Sequence, residues 1–358
     1  MTALLLAAIL LGPDEGDVDR IMLRFAQRRE GVQSQAEFSR ILAETRSELE
    51  RYLKDHGNSP RALFHVAETY LWEGNYAAGL EKLGALTATC PDTSDGATAQ
   101  LLIGQILARN GDGEGARKAF DRFIERYPND ERVLLAKSLS AVTLQNEERY
   151  DEAAELLRQV RETYRDRKES WAAELQRSVI FHLQGKNEDA EKVLEGVIRD
   201  CPDPSQKEVA RTLRSRYQKV GEEAPSFVDR DLQGNVLSLK AFRNRITILY
   251  FFDSSAPAAL TEVQFLQRIR KAFAPNQVAI LGVSVNLNRE DLLNFRDLQK
   301  ISWPLLFDGL GLGGPLARTY DVRGLPSLAV IDQQGKFRFF NVAGRDLENV
   351  LRRLVAEE

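Results

Sequence analysis

Apolar residues in the first two-thirds of the chain fall at helical spacing, and the helical runs recur. Gly74, Gly111, Glu148 and Gly185 stand 37 residues apart. Five residues after each comes a small residue: Gly79, Ala116, Ala153 and Ala190. Seven residues before each comes another: Ala67, Gly104, Ala141 and Ser178. Leu83, Phe120, Leu157 and Leu194 supply a large apolar side chain at a third fixed place, and Cys90, Tyr127, Tyr164 and Cys201 occupy a fourth. Pro91, Pro128 and Pro202 follow three of these, with Arg165 in the remaining repeat. Small residues at fixed spacing let paired helices approach closely, and large ones plug the space between them. The period predicts four helix pairs over about residues 60–202. No pair buries its apolar face alone, so the pairs are expected to stack into an extended superhelix. Residues 17–56 are helical in pattern but out of register and read as a cap. Residues 205–220 read as a closing helix.

Near residue 221 the pattern changes. The run 245–250 is β-branched and apolar and reads as a strand. The run 278–285 is short and apolar, as suits a parallel strand buried on both faces. Asp231-Leu232-Gln233-Gly234-Asn235 reads as a hairpin turn before a strand end at 236–239, and 328–336 reads as strand, turn, strand.

The 37-residue unit resembles the tetratricopeptide repeat, lengthened from its usual span of about 34 residues. The C-terminal part resembles the thioredoxin superfamily, in particular the TlpA/ResA-type bacterial thiol-disulfide oxidoreductases related to peroxiredoxins. The resemblance is carried by Phe251-Phe252-Asp253-Ser254-Ser255-Ala256-Pro257-Ala258-Ala259-Leu260-Thr261-Glu262. Relatives usually read Phe-Trp-Ala-Thr-Trp-Cys-Pro-Pro-Cys-Arg-Ala-Glu there. Gly221-Glu222-Glu223-Ala224-Pro225-Ser226-Phe227 resembles the family's first strand, and Val322-Arg323-Gly324-Leu325-Pro326-Ser327 the loop that carries its cis-proline, here Pro326. The implied fold class is multidomain: a leader or signal segment over 1–15, an all-α tetratricopeptide-like superhelix over 16–220, and an α/β thioredoxin fold over 221–358.

Ala256 and Ala259 stand at the family's two cysteine positions. Disulfide exchange needs an attacking thiolate and a resolving thiol, and a methyl group is neither. Ser255, Ala258 and Leu260 depart from the family as well, which fits natural loss of redox chemistry better than a designed knockout. Ser254 or Ser255 is expected to cap the following helix, with Pro257 in its first turn. No catalytic residue is assigned.

The chain has 358 residues, 43% of them hydrophobic and 28% charged, as expected of two globular domains. Its net charge of −4 offers no basic face for nucleic acid. It has no apolar run of the roughly 18 residues that a membrane-spanning helix needs. Residues 2–12 are apolar, without the basic start of a secretory signal, and read either as a truncated leader or as a buried helix. The resemblance points to a periplasmic or exported protein, with the cytoplasm as the alternative.

The only cysteines, Cys90 and Cys201, share their repeat position with tyrosine. Three repeats separate them, beyond the Cα limit of about 7 Å for a disulfide, so they read as packing residues. His56, His65 and His182 lack metal-ligand spacing. Gly309-Leu310-Gly311-Leu312-Gly313-Gly314 mimics a dinucleotide fingerprint but reads as a turn before a helix. No metal or cofactor is expected.

The reading is a non-catalytic protein- or peptide-binding scaffold. Transferring the register of the resembled repeats places Arg61, Phe64, Glu68 and Trp72 on the concave face of the first repeat. Leu101, Gln105 and Arg109 fall there in the second, Gln145 and Asn146 in the third, and Leu175 and His182 in the fourth. Phe64 and Glu68 stand where some relatives clamp a chain-terminal carboxylate, so an internal or structured partner segment is expected. In the thioredoxin-like part, Ser255, Leu325 and Pro326 are the candidate contacts, with the Leu325 backbone free to add an extended peptide. The alternative, implied by the fold family, is a thiol-disulfide oxidoreductase or a peroxiredoxin-like antioxidant enzyme.

Overall fold

The structure is a computed structural model that describes residues 15–32 and 34–357, so the apolar run 2–12 lies outside the described residues. The chain forms two compact units that part between Leu156 and Leu157.

The first unit is helical: α1 (Glu15–Arg29), α2 (Gln35–His56), α3 (Pro60–Trp72), α4 (Tyr76–Thr89), α5 (Ser94–Arg109), α6 (Gly113–Arg126), α7 (Val133–Asn146) and the start of α8 (Tyr150–Thr163). The starts of α3 to α6 are set by side-chain oxygens. Ser59, Asn75, Thr93 and Asp112 each accept the backbone N–H three residues on. The turn between paired helices needs left-handed backbone, which Gly74 (φ +83°) and Gly111 (φ +87°) adopt freely. Glu148 adopts it too, at φ 59°, in the third repeat. The fixed small residues are close-approach points: a Cβ on Gly104 would lie 2.4 Å from the Phe120 ring. Leu83 and Phe120 are fully buried, as their plug position predicts, each such burial being worth about 1.5–3 kcal/mol. The predicted cap is present, since Val18, Ile21, Leu49 and Tyr52 pack on Ala62 and Val66 of α3.

The second unit continues with α9 (Trp171–Leu183), α10 (Asn187–Asp200) and α11 (Pro204–Tyr217), the last being the predicted closing helix. Leu157 and Leu194 complete the set of buried plugs. A hairpin of β1 (Val228–Arg230) and β2 (Val236–Ser238) follows. Then come β3 (Ile246–Phe252), α12 (Pro257–Ala272), β4 (Val278–Ser284), α13 (Arg289–Leu298), β5 (Leu305–Phe307), α14 (Pro315–Thr319), β6 (Ser327–Ile331), β7 (Phe337–Phe340) and α15 (Gly344–Ala356). The sheet order is β5-β4-β3-β6-β7, with β3, β4 and β5 parallel and β6 antiparallel to both its neighbours.

Every residue of β3 and β4 is buried because both sheet faces are covered. Leu249 and Phe251 join Leu281, Val283, Ala329 and Ile331 on one face, under Phe227, Leu239, Phe242, Leu316 and Val322. α12 packs against β4, and α15 against β3.

One expectation changes. The segment 221–227 is not a regular strand. It runs beside β7, with the Gly221 N–H on the Phe337 carbonyl (2.8 Å) and the Ala224 N–H on the Gly335 carbonyl (2.9 Å), until Pro225 interrupts with no N–H to give. The compact units divide inside α8, so the fourth repeat shares a unit with the sheet. The physical reason is that the fourth repeat is bonded to the sheet. Arg353 of α15 donates to the Leu183 carbonyl (2.5 Å), Arg216 of α11 to the Ser327 hydroxyl (3.2 Å), and the Phe340 N–H to His182 Nε2 (3.1 Å).

Candidate functional site

β3 ends at Phe252, and the next four residues, 253–256, turn the chain into α12. Parallel pairing places the C-terminal end of β4 beside that of β3, with Phe252 opposite Ser284. Asn286, two residues beyond Ser284, therefore reaches the turn. Its Oδ1 accepts the Ser254 N–H (3.1 Å) and the Ser284 hydroxyl (2.7 Å), and its Nδ2 donates to the Ser254 hydroxyl (2.7 Å). On the other side of the turn, Asp253 Oδ1 accepts the Ser255 N–H (2.9 Å) and the Ser255 hydroxyl (2.7 Å). The Ala256 N–H closes the turn on the Asp253 carbonyl (3.1 Å).

The expected serine cap does not form. Ala256 is itself the N-cap residue, with extended backbone (φ −74°, ψ 130°) and no side-chain bond. Both serine hydroxyls are held instead by Asp253 and Asn286. Pro257 opens the helix, where its missing N–H costs nothing. Ala256 is half-buried and Ala259 is only 1% exposed. A side chain at the second family cysteine position thus faces the interior.

Beneath the turn, Glu262 is half-buried, and burial raises its carboxyl above the usual range. Burial also raises the Tyr250 phenol, and the Glu262 charge pushes it further in the same direction. The Tyr250 hydroxyl is buried without a hydrogen-bond partner among the described residues. The Leu325–Pro326 bond is cis, as the resemblance implied. Leu325 is half-buried against the sheet core, while Pro326 and Ser255 are exposed. Ser327 pairs with Phe251 of β3, so the proline loop joins the sheet one residue later.

The repeat residues are placed unevenly. Trp72 is 39% exposed, with one ring face stacked on Phe25 (5.2 Å between centroids, 4° between planes). Arg61 is committed to Asp19 (2.7 Å). Gln105 and Arg109 are exposed, the Arg109 guanidinium 5.7 Å from the Tyr76 ring centre. Leu101, Gln145 and His182 are corrections, Leu101 being buried in α5. Gln145 is buried at the end of α7. His182 is 1% exposed, because β7 and α11 cover the side of α9 that the register had assigned to solvent.

Sequence reasoning named the turn but gave no role to Asn286, Ser284 or Asp253. The available signal was topological: a polar residue just past one parallel strand lies beside the turn that follows its neighbour. The two cysteines are free thiols, Cys90 half-buried and Cys201 buried, at the C-terminal ends of α4 and α10.

Residues 220–340 match the model of the AhpC/TSA family, and residues 67–131 and 140–203 match that of the tetratricopeptide repeat. The chain is 27% identical over 123 residues to the thiol-disulfide oxidoreductase ResA of Bacillus thuringiensis subsp. konkukian (strain 97-27), covering 34% of this chain and 69% of that one. It is 33% identical over 89 residues to a candidate peroxiredoxin of Mycobacterium tuberculosis (strain CDC 1551 / Oshkosh), covering 25% of this chain and 56% of that one. A solved thiol-disulfide oxidoreductase from Bacteroides fragilis NCTC 9343 superposes with a TM-score of 0.36 at 28% identity, over 37% of this chain and 99% of that one.

Proposed function

We propose that this chain, which combines tetratricopeptide repeats with an AhpC/TSA-type thioredoxin-like domain, is a protein-binding scaffold whose thioredoxin-like domain has lost its redox chemistry. The observation that carries the reading is the turn itself. Ala256 and Ala259 stand where relatives of the ResA type hold their reactive thiols, and serine, aspartate and asparagine side chains brace that turn without offering a replacement. Neither cysteine of the chain lies in the thioredoxin-like domain. Function follows the groups in a site and not the fold that presents them.

On this reading the partner is a protein or peptide, and the surfaces offered are the repeat face bearing Trp72, Gln105 and Arg109 and the loop at Ser255, Leu325 and Pro326. Gln145 and His182, being buried, are withdrawn from that set. A periplasmic or exported location is part of the proposal, tested by fractionating cells that make the untagged chain.

The competing reading is an oxidoreductase of the relatives' kind. It draws on one feature, the half-buried Glu262 beside Tyr250, which keeps a proton-holding group under the turn. Insulin reduction with dithiothreitol as electron donor, run with the intact chain, separates the two. A rate equal to the buffer blank supports the scaffold, and turnover above it overturns the scaffold in favour of the enzyme.

A further inference from the structure

A cavity of about 470 Å³ lies in the second unit, away from the turn that ends β3. Its residues come from the opposite, N-terminal end of the same strand. Thr247, the second residue of β3, is on its wall, with Ile331 and Asp332 at the end of antiparallel β6. Leu239, Lys240, Phe242 and Arg243 come from the short turn after β2, and Ala224, Pro225 and Ser226 from the segment beside β7. The volume falls within the roughly 300–1,000 Å³ of small-molecule sites.

The charges decide what such a site would take. Asp332 is satisfied internally. Its Oδ1 accepts the Gln334 N–H (3.1 Å) and the Lys336 N–H (2.8 Å), and its Oδ2 faces Arg338 (3.7 Å). Three partners satisfy that carboxylate within the fold, one of them the Arg338 guanidinium. The cations at the mouth are not so committed. About half of the chain's arginines are tied to a carboxylate, and among the described residues Lys240 and Arg243 have no ion-pair partner. Arg243 is held at the cavity, its Nε 3.8 Å from the point where a Cβ on Gly335 would sit. Glu223 is the other carboxylate on the wall. Inside, Leu239, Phe242 and Ile331 present apolar surface continuous with the sheet core, and Thr247 adds a hydroxyl.

We propose that this cavity binds a small amphipathic anion, its carboxylate or sulfonate at Arg243 and Lys240 and its apolar body against Leu239, Phe242 and Ile331. The site is independent of the scaffold reading. It uses none of the residues of the β3 turn, the proline loop or the repeat face.

The probe is 8-anilinonaphthalene-1-sulfonate, titrated calorimetrically into the full-length chain at low salt. Saturable binding with one site per chain is expected. Arg243→Glu should weaken it at least tenfold, and Lys240→Glu, at an exposed position, should weaken it in the same direction. Ala224→Trp, which adds bulk to the wall, should abolish it. Circular dichroism identifies any variant that has lost its fold, and the exposed Lys240→Glu then carries the test. Absence of saturable binding, or an affinity unchanged in folded Arg243→Glu and Lys240→Glu, overturns the proposal.

Discussion

His182 Nε2 on α9 accepts the backbone N–H of Phe340 on β7 at 3.1 Å, while its Nδ1 lies 2.6 Å from Asn187 Oδ1. The first bond requires a lone pair on Nε2 and therefore a neutral ring. The imidazole is stacked on Tyr217 (4.0 Å between centroids) and edge-on to Phe339, so no water reaches it. This ring ties the fourth repeat to the sheet, alongside the Arg216–Ser327 and Arg353–Leu183 bonds.

Stability should consequently fall in acid. Burial lowers the His182 pKa from 6.5 to about 4, partly opposed by Asn187. The unfolded chain takes up the proton first, so the neutral-ring contribution is complete above pH 6.5. It is lost progressively as pH falls from 6.5 towards 4. At most about 3 kcal/mol is involved. Urea unfolding across that range should show the loss, and His182→Gln should flatten the curve while lowering stability at pH 7. An unchanged slope in His182→Gln would place the acid sensitivity elsewhere.

Much of this architecture was legible in the chain. The small, plug and left-handed positions recur with one period, and packing demands the same residue type each time, so Ala67, Leu83 and Gly74 could each be read from their equivalents. Pro326 was legible through its neighbours in the loop. The buried state of His182 was not. Periodicity says which side of a helix faces its own repeat, but whether the other side meets solvent depends on what the chain builds 158 residues later. Asn286 was hidden for a related reason, since its role follows from parallel pairing of β3 and β4 and not from local sequence.

Glu148 holds left-handed backbone (φ 59°) at the position where the other repeats have Gly74, Gly111 and Gly185. Such a conformation costs a residue with a Cβ of the order of 1–3 kcal/mol, partly offset because glycine loses more freedom on folding. Glu148→Gly should therefore stabilise the chain by about 0.5–1 kcal/mol. A β-branched Glu148→Val should do the reverse, as a rise and a fall in melting temperature would report.

Gly104 lies against Phe120, and an added Cβ would sit 2.4 Å from Cε1 and 2.6 Å from Cδ1 of that ring. Phe120 is fully buried, so the ring has nowhere to move. Gly104→Ala should destabilise by about 1–3 kcal/mol, the usual cost of overpacking, although alanine is the better helix former. The paired change Gly104→Ala with Phe120→Leu should recover part of the loss. Additive penalties in that double-mutant cycle would show that the two positions do not clash.

The last prediction concerns the turn after β3. Ala256 N-caps α12 and Ala259 lies in its first turn, where oriented N–H groups lower the pKa of a thiol at the N-terminus. Ala256→Cys with Ala259→Cys should restore a dithiol that closes to a disulfide, because the two positions keep the spacing of the relatives' pair. Thiol titration after unfolding should then rise from the native Cys90 and Cys201 by two under reducing conditions and not under oxidising ones. Insulin reduction should appear only in the double variant, since a single cysteine can attack but cannot resolve the mixed disulfide. The new thiol should remain slower than in ResA-type relatives, because Ser255 and Ala258 replace the family's residues between and beside the pair. Glu262 provides the internal check. If its half-buried carboxyl still serves proton transfer, Glu262→Gln in the double-cysteine background should shift the pH profile of the restored activity. If it is only packed there, the profile should stay in place while stability changes.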